Sequence, residues 1–145
     1  MNWPLLALQN TFSIQGRAQR KEYWYLVLFS MVGQFALELL AYASGMSVML
    51  AVSRLFYLVM LVPGWTAAIR RMHDIGWSGW WLFVAWLAEA ACLGMGIFCL
   101  AGWRSPMAGL VWLLGMFVLG IVVIVFLCQD SQPGDNKYGP NPKRR

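Results

Sequence analysis

Four long apolar runs dominate this chain of 145 residues: 23–43, 50–69, 80–101 and 107–128. A helix needs about 20 mostly apolar residues to cross the hydrocarbon core of a bilayer. In lipid every backbone polar group must be satisfied within the protein, which a helix achieves along its own length. The chain is therefore expected to be all-α, an integral membrane bundle of four transmembrane helices in a single membrane domain, residues 1–145. Composition agrees: with 60% hydrophobic and 12% charged residues it cannot cover itself with a polar surface. The third and fourth runs are separated only by "GWRSP", which requires antiparallel neighbours. "SGMS" around Gly45 favours a turn after the first run, and Pro63-Gly64 inside the second predicts a kink.

Ahead of the first run, "WPLLAL" is too short for a secretory leader and its positive charges follow rather than precede it, so no cleaved signal peptide is expected. Trp3, Leu5, Leu8 and Phe12 approximate one helical face. Residues 2–13 are thus expected to form a short N-terminal interfacial segment, with a loosely ordered tail as the alternative.

Charge sets an expected orientation. Arg17, Arg20 and Lys21 precede the first span, Arg70 and Arg71 lie between the second and third, and Lys137, Lys143, Arg144 and Arg145 follow the fourth. With four spans these nine of the eleven basic residues share one side, leaving Arg54 and Arg104 opposite. Lys and Arg are retained in the cytoplasm, so both termini, the 70–79 loop and the tail 129–145 are expected there. The net charge of +5 then reflects orientation, and no nucleic-acid partner is expected because the chain has no soluble basic face. Tyr23, Trp24, Tyr25, Trp77, Trp80 and Trp81 fall at the inner interface and Trp103 at the outer one, as an aromatic belt would.

Cys92, Cys99 and Cys128 form no CxxC pair and have no histidine cluster beside them, so neither a disulfide framework nor a metal site is expected, and no cofactor. Ala88, Cys92 and Gly96 recur every four positions, a smooth stripe against which a helix of this chain or of a second copy could pack. Homo-oligomerisation stays open.

Charges within the spans are expensive in lipid and should face the bundle or a polar cavity. Glu38 and Arg54 lie at similar depth on helices joined by a short turn and are expected to pair. Glu89, in the middle of the third span, has no basic residue at its depth. Two readings stand: a protonated carboxyl hydrogen-bonded to a backbone or serine group, or a site for a proton or cation in passage.

Three polar segments fall on one membrane face: "FSIQGRAQRKEYWY" (12–25), "IRRMHDIGWSGWW" (69–81) and "DNKYGPNP" (135–142). With their order and the four apolar runs, they resemble the uncharacterised bacterial inner-membrane family catalogued as domain of unknown function 805, over nearly the whole chain. The matching positions are Phe12, Gly16, Arg17, Arg20, Glu22, Tyr23 and Trp24. Next come Arg70, Arg71, His73, Asp74, Gly76, Ser78, Gly79, Trp80 and Trp81, and finally Asn136, Tyr138, Gly139, Pro140 and Pro142. The "AGWRSP" loop departs from the pattern. The resemblance implies a bacterial inner-membrane location and carries over no activity.

Physically, the segments read most simply as a buckle. Arg17, Arg20, Arg70 and Arg71 would pair with Glu22, Asp74 and Asp135. Ser78 would cap the helix starting near Gly79, and Tyr138, in the tail motif with Asn136, would pack on the inner aromatic belt. The sharper alternative is an anion site, since arginine forks match phosphate oxygens. His73 beside Asp74 suggests a proton acceptor, but no nucleophile or second metal ligand accompanies it. The chain is accordingly expected to be a non-catalytic inner-membrane protein, with no catalytic residue, whose cytoplasmic face binds a protein partner or anionic lipid. The alternatives are a small transporter or channel using Glu89 and a lipid-modifying enzyme using His73.

Overall fold

The computed structural model describes residues 3–101 and 105–144. Trp103, Arg104 and Arg145, and the side chains of Trp3 and Arg144, lie outside that description. Five helices follow one another: α1 (Trp3–Gln9), α2 (Arg20–Ser44), α3 (Ser47–Asp74), α4 (Trp80–Ala101) and α5 (Pro106–Cys128), and a single 3-10 turn, Pro142–Arg144, closes the tail. Among the described residues there is no strand. The four long helices are each long and apolar enough to cross a membrane, and each contains one of the four apolar runs.

The packing is that of two hairpins rather than one bundle around a common axis. α2 lies along α3 and α4 along α5, whereas contact between the pairs is sparse. The shared core of the two hairpins is Ala68 and Met72 of α3, Leu82 of α4 and Leu127 of α5, all at the end where α3 and α5 finish and α2 and α4 begin. This is the end that carries the three polar segments, called here the motif end.

Within the α4/α5 hairpin the small-residue stripe has a partner in the chain. A side-chain carbon placed on Gly109 would stand 3.2 Å from the Gly96 carbonyl and closer still to Leu100. Only hydrogen at these positions lets the two backbones approach so closely. Cys92 faces Gly115 along the same seam. Cys99 is buried, whereas Cys128 is exposed where α5 ends.

Residues 70–74 belong to the last turn of α3 and not to a loop. Nothing in "IRRMHD" disfavours a helix, Pro63 does not divide α3, and Arg71 and Asp74 meet as an i,i+3 pair. The break comes at Gly76, whose φ is +85°.

The N-terminal segment is a shorter helix than residues 2–13 suggested. Ala7 is fully buried against Leu26 of α2 and Ala67 of α3, with Leu8 beside it. Leu5 and Phe12, 54% and 92% exposed, point away. Of the expected face, Leu8 packs beside the buried cluster while Leu5 and Phe12 do not, and Ala7, which seats the helix, lay outside the pattern.

Candidate functional site

A helix C-terminus leaves its last carbonyls without partners and carries a partial negative charge. α3 ends buried, so those groups need donors from elsewhere. The polar segments and the residues 129–134 between α5 and the tail motif provide them. The Arg70 carbonyl accepts from the Ala18 N–H at 3.1 Å, Met72 from Trp77 at 2.9 Å, and Asp74 from Gln132 at 3.0 Å. The Asn136 side chain donates to the His73 carbonyl at 2.9 Å. Gly76 permits the turn that starts this arrangement, and a Cβ there would stand 2.7 Å from the Gln132 side-chain oxygen.

Asp74, fully buried, sits at the centre. Arg17 Nε lies 3.0 Å from one carboxylate oxygen. Arg71 Nη1 and the Ser131 hydroxyl both donate to the other, each at 2.5 Å. The remaining arginine nitrogens bond carbonyls. Arg17 Nη1 donates to Gly134 and Gly139, and its Nη2 to Gln132 at 2.7 Å and to Asp74 itself at 3.3 Å. Arg71 Nε donates to Leu127 at 3.1 Å and its Nη2 to Gln129. Arg17 thus covers the end of α3, and Arg71, which α3 carries, covers the end of α5. The two hairpins are tied through charge-assisted hydrogen bonds whose arginine donors are buried, while several of the accepting carbonyls, those of Gln129, Gln132, Gly134 and Gly139, lie nearer the surface.

Arg70 forms a second buried pair, Nη1 to Glu22 Oε1 at 2.7 Å. Arg20 is exposed and does not join either pair. It meets Asp130 at 3.2 Å, which Lys143 also contacts. The hydrogen bond from Lys143, reinforced by the Ser131 N–H, holds the Asp130 carboxyl below the usual carboxylate range. Asp135, expected as an arginine partner, instead accepts from the Asn141 N–H at 3.3 Å, because the loop 129–134 takes the place beside the arginines. Tyr138 stacks on His73, ring centroids 3.8 Å apart and planes within 5°, rather than on the tryptophans. Its backbone N–H donates to the Asn136 side chain at 2.9 Å. Ser78 accepts from the Trp80 N–H at 3.4 Å at the start of α4.

The intramembrane charges are separate from this end. Arg54 and Glu38 meet at 3.5 Å, but their side chains are 69% and 47% exposed instead of facing a bundle interior, since α4 and α5 do not cover this side of α2 and α3. Gln34 links them to the protein, donating to Glu38 at 2.7 Å and to Ser53 at 2.9 Å. Glu89 faces α5 opposite Gly120.

Sequence reasoning missed Ser131, Gln132 and Asp130. The run "QDSQPG" between the fourth span and the tail motif was the available signal: two carboxamides, an aspartate and a serine immediately after a helix that ends near arginines. The carbonyls that receive Arg17 and Arg71 have no sequence signature, since any residue provides one.

Comparison with known proteins finds matches over most of the chain. The family described as "Protein of unknown function (DUF805)" matches residues 11–140, the stretch from just after α1 to Pro140. The chain is 30% identical to the inner membrane protein YhaH of Escherichia coli K12, across 99% of this chain and 98% of that protein. It is 29% identical to inner membrane protein YhaI of the same strain, over 99% and 97% respectively. A third relative there, the uncharacterized protein YiiR, is also 29% identical, over 88% and 84%. No solved structure matches the chain.

Proposed function

The chain belongs to the family described as Protein of unknown function (DUF805), and from that premise we propose that it is a non-catalytic protein of the bacterial inner membrane with both termini in the cytoplasm. Its three polar motifs lock the two hairpins together at the cytoplasmic side and form a face for a protein partner or anionic lipid. The names of YhaH and YhaI support the membrane, and the basic residues gathered at the motif end support the orientation.

One observation carries the reading: every guanidinium nitrogen of Arg17 and Arg71 is engaged by Asp74 or by a main-chain carbonyl. Arginines so committed have no nitrogen left without a partner, and the Asp74 carboxylate already accepts from two guanidiniums and a hydroxyl. Such a centre fits a fastening better than a reaction.

The test uses full-length protein in native membranes. Arg71→Ala and Asp74→Asn should lose protease resistance or whatever protein or lipid co-purifies with the wild type, with no turnover lost alongside. Variants that stay folded and keep every interaction overturn the reading.

A further inference from the structure

Arg70 differs from its two buried neighbours in what its guanidinium does. Its Nη1 donates to Glu22, but Nε and Nη2 are buried and meet no hydrogen-bond acceptor, although the residue is only 4% exposed. A buried donor left unmatched is costly, and Nε with Nη2 forms the side edge of the guanidinium, the fork that matches two oxygens of one anion.

That side chain lines a cavity of about 240 Å³ at the motif end. Leu6, Asn10 and Gln15 wall it on the side of α1, and Tyr138, Pro140 and Pro142 on the side of the tail. Gln19 ties the tail wall in place by donating to the Pro142 carbonyl. Drug-sized ligands occupy cavities of about 300–1,000 Å³, so this one suits a single headgroup-sized ion. Charge points the same way. Arg17, Arg70 and Arg71 bring three positive charges into the buried layer, against two negative ones from Glu22 and Asp74. One positive charge is left over, and of the three arginines only Arg70 has buried nitrogens with no partner at all.

We propose that this cavity binds a phosphate group carrying one negative charge, a phosphodiester, with two of its oxygens on the Nε and Nη2 edge of Arg70. The inference rests on reading the motif end as a binding face and names the chemistry that the face takes. A phosphodiester brings the single charge that balances the layer, and in a wall that is about half polar, Leu6, Tyr138, Pro140 and Pro142 offer apolar surface to the carbon groups beside the phosphate. Two sources share this chemistry: a phospholipid headgroup, and a soluble phosphodiester of the cytoplasm.

The experiment is native mass spectrometry of the full-length, delipidated protein in neutral detergent. The probes are phosphatidylglycerol, its soluble headgroup diester glycerophosphoglycerol, and acetate. The wild type should hold one phosphodiester. Leu6→Trp, which fills the cavity and leaves the ion pair intact, and the double variant Arg70→Gln, Glu22→Gln, which removes the fork without stranding a carboxylate, should each bind it at least tenfold more weakly. Circular dichroism and thermal melting would establish that both remain folded, and Leu6→Trp alone keeps the test valid if the double variant does not. Preference for the intact lipid identifies a headgroup site; equal affinity for the soluble diester identifies a cytoplasmic ligand. Binding unchanged in a folded variant, no binding at all, or equal competition by acetate overturns the proposal. Binding lost instead in Arg20→Ala also overturns it, while leaving the motif end as a binding face.

Discussion

Arg17 and Asp74 are 57 residues apart in the chain and meet with Nε 3.0 Å from Oδ1, neither side chain more than 1% exposed. The contact joins the segment before α2 to the last residue of α3. Asp74 also holds Arg71 and Ser131, so one carboxylate fixes three segments.

Removing that carboxylate should be the most damaging single change at the motif end. Breaking a buried ion pair costs about 3–5 kcal/mol because the partner stays buried without compensation, and here two guanidiniums are stranded. Asp74→Ala is expected to abolish cooperative unfolding in detergent, whereas Ser131→Ala, which removes one hydroxyl donor, should lower stability by about 0.5–1.5 kcal/mol. Chemical denaturation of the two variants gives the ranking; comparable losses would contradict the central role of Asp74.

Arg71→Lys separates charge from geometry. A lysine keeps the attraction to Asp74 but cannot also reach the Leu127 and Gln129 carbonyls with a planar fork. A loss of about 1.5–3 kcal/mol is expected, the scale of a charged hydrogen bond. Cysteine crosslinking between the end of α3 and the residues after α5 should slow in parallel. Wild-type stability in this variant would mean that the carbonyl contacts contribute nothing.

Gly76 and Gly134 both have positive φ, +85° and +75°, which costs an L-residue about 1–2 kcal/mol. At Gly134 nothing lies within 4 Å of a new Cβ, whereas at Gly76 the Gln132 side chain stands at 2.7 Å. Gly76→Ala should therefore destabilise more than Gly134→Ala, and pairing it with Gln132→Ala should recover the difference. Thermal melts of the three variants decide this.

Asp130 makes the tail contact pH-dependent. Its carboxyl is held below the usual range by Lys143 and the Ser131 N–H. A carboxylate depressed on folding contributes its stabilisation above its unfolded pKa and loses it as pH falls through the lower folded value. Amide hydrogen exchange at Lys143 should accelerate, beyond the intrinsic pH effect, only on acidification below the ordinary carboxylate range. Asp130→Asn should remove that pH dependence. The contact is exposed, so salt should weaken it too.

The Arg54 and Glu38 pair should behave as a unit. Arg54→Leu leaves a carboxylate on a lipid-facing surface and should destabilise the α2/α3 hairpin, while adding Glu38→Leu should restore most of the loss, because replacing both charges removes the cost of burying either. A double variant no better than the single one would show that the pair does not couple.

The spans were legible because hydrophobic run length is a direct physical requirement of the bilayer, and so was a meeting of arginines with Glu22 and Asp74, though not which arginine meets which, because charges near a membrane face have few partners available. The Arg54 and Glu38 pairing followed from equal depth. What sequence could not show was that α2/α3 and α4/α5 pack as separate hairpins, since both arrangements present the same apolar runs. It also placed Arg70 to Asp74 in a loop, because charge was taken to end the helix when the backbone break in fact waits for Gly76. Asp135 was offered to the arginines in place of Asp130 and Ser131. Two aspartates five residues apart cannot be told apart until the turn at Gly134 fixes which one faces the helices.

The hairpins are fastened at one end only, which gives the molecule the mechanics of tongs. α3 has 28 residues, about 42 Å at ~1.5 Å per residue, so a rotation of about 5° at the pivot near Met72 and Leu127 would carry its far end some ~4 Å sideways, on the same helical geometry. Small rearrangements around Asp74 thereby grow with distance from the pivot before they arrive at the opposite leaflet, where the turn at Gly45 and the start of α5 would feel them as a change in spacing.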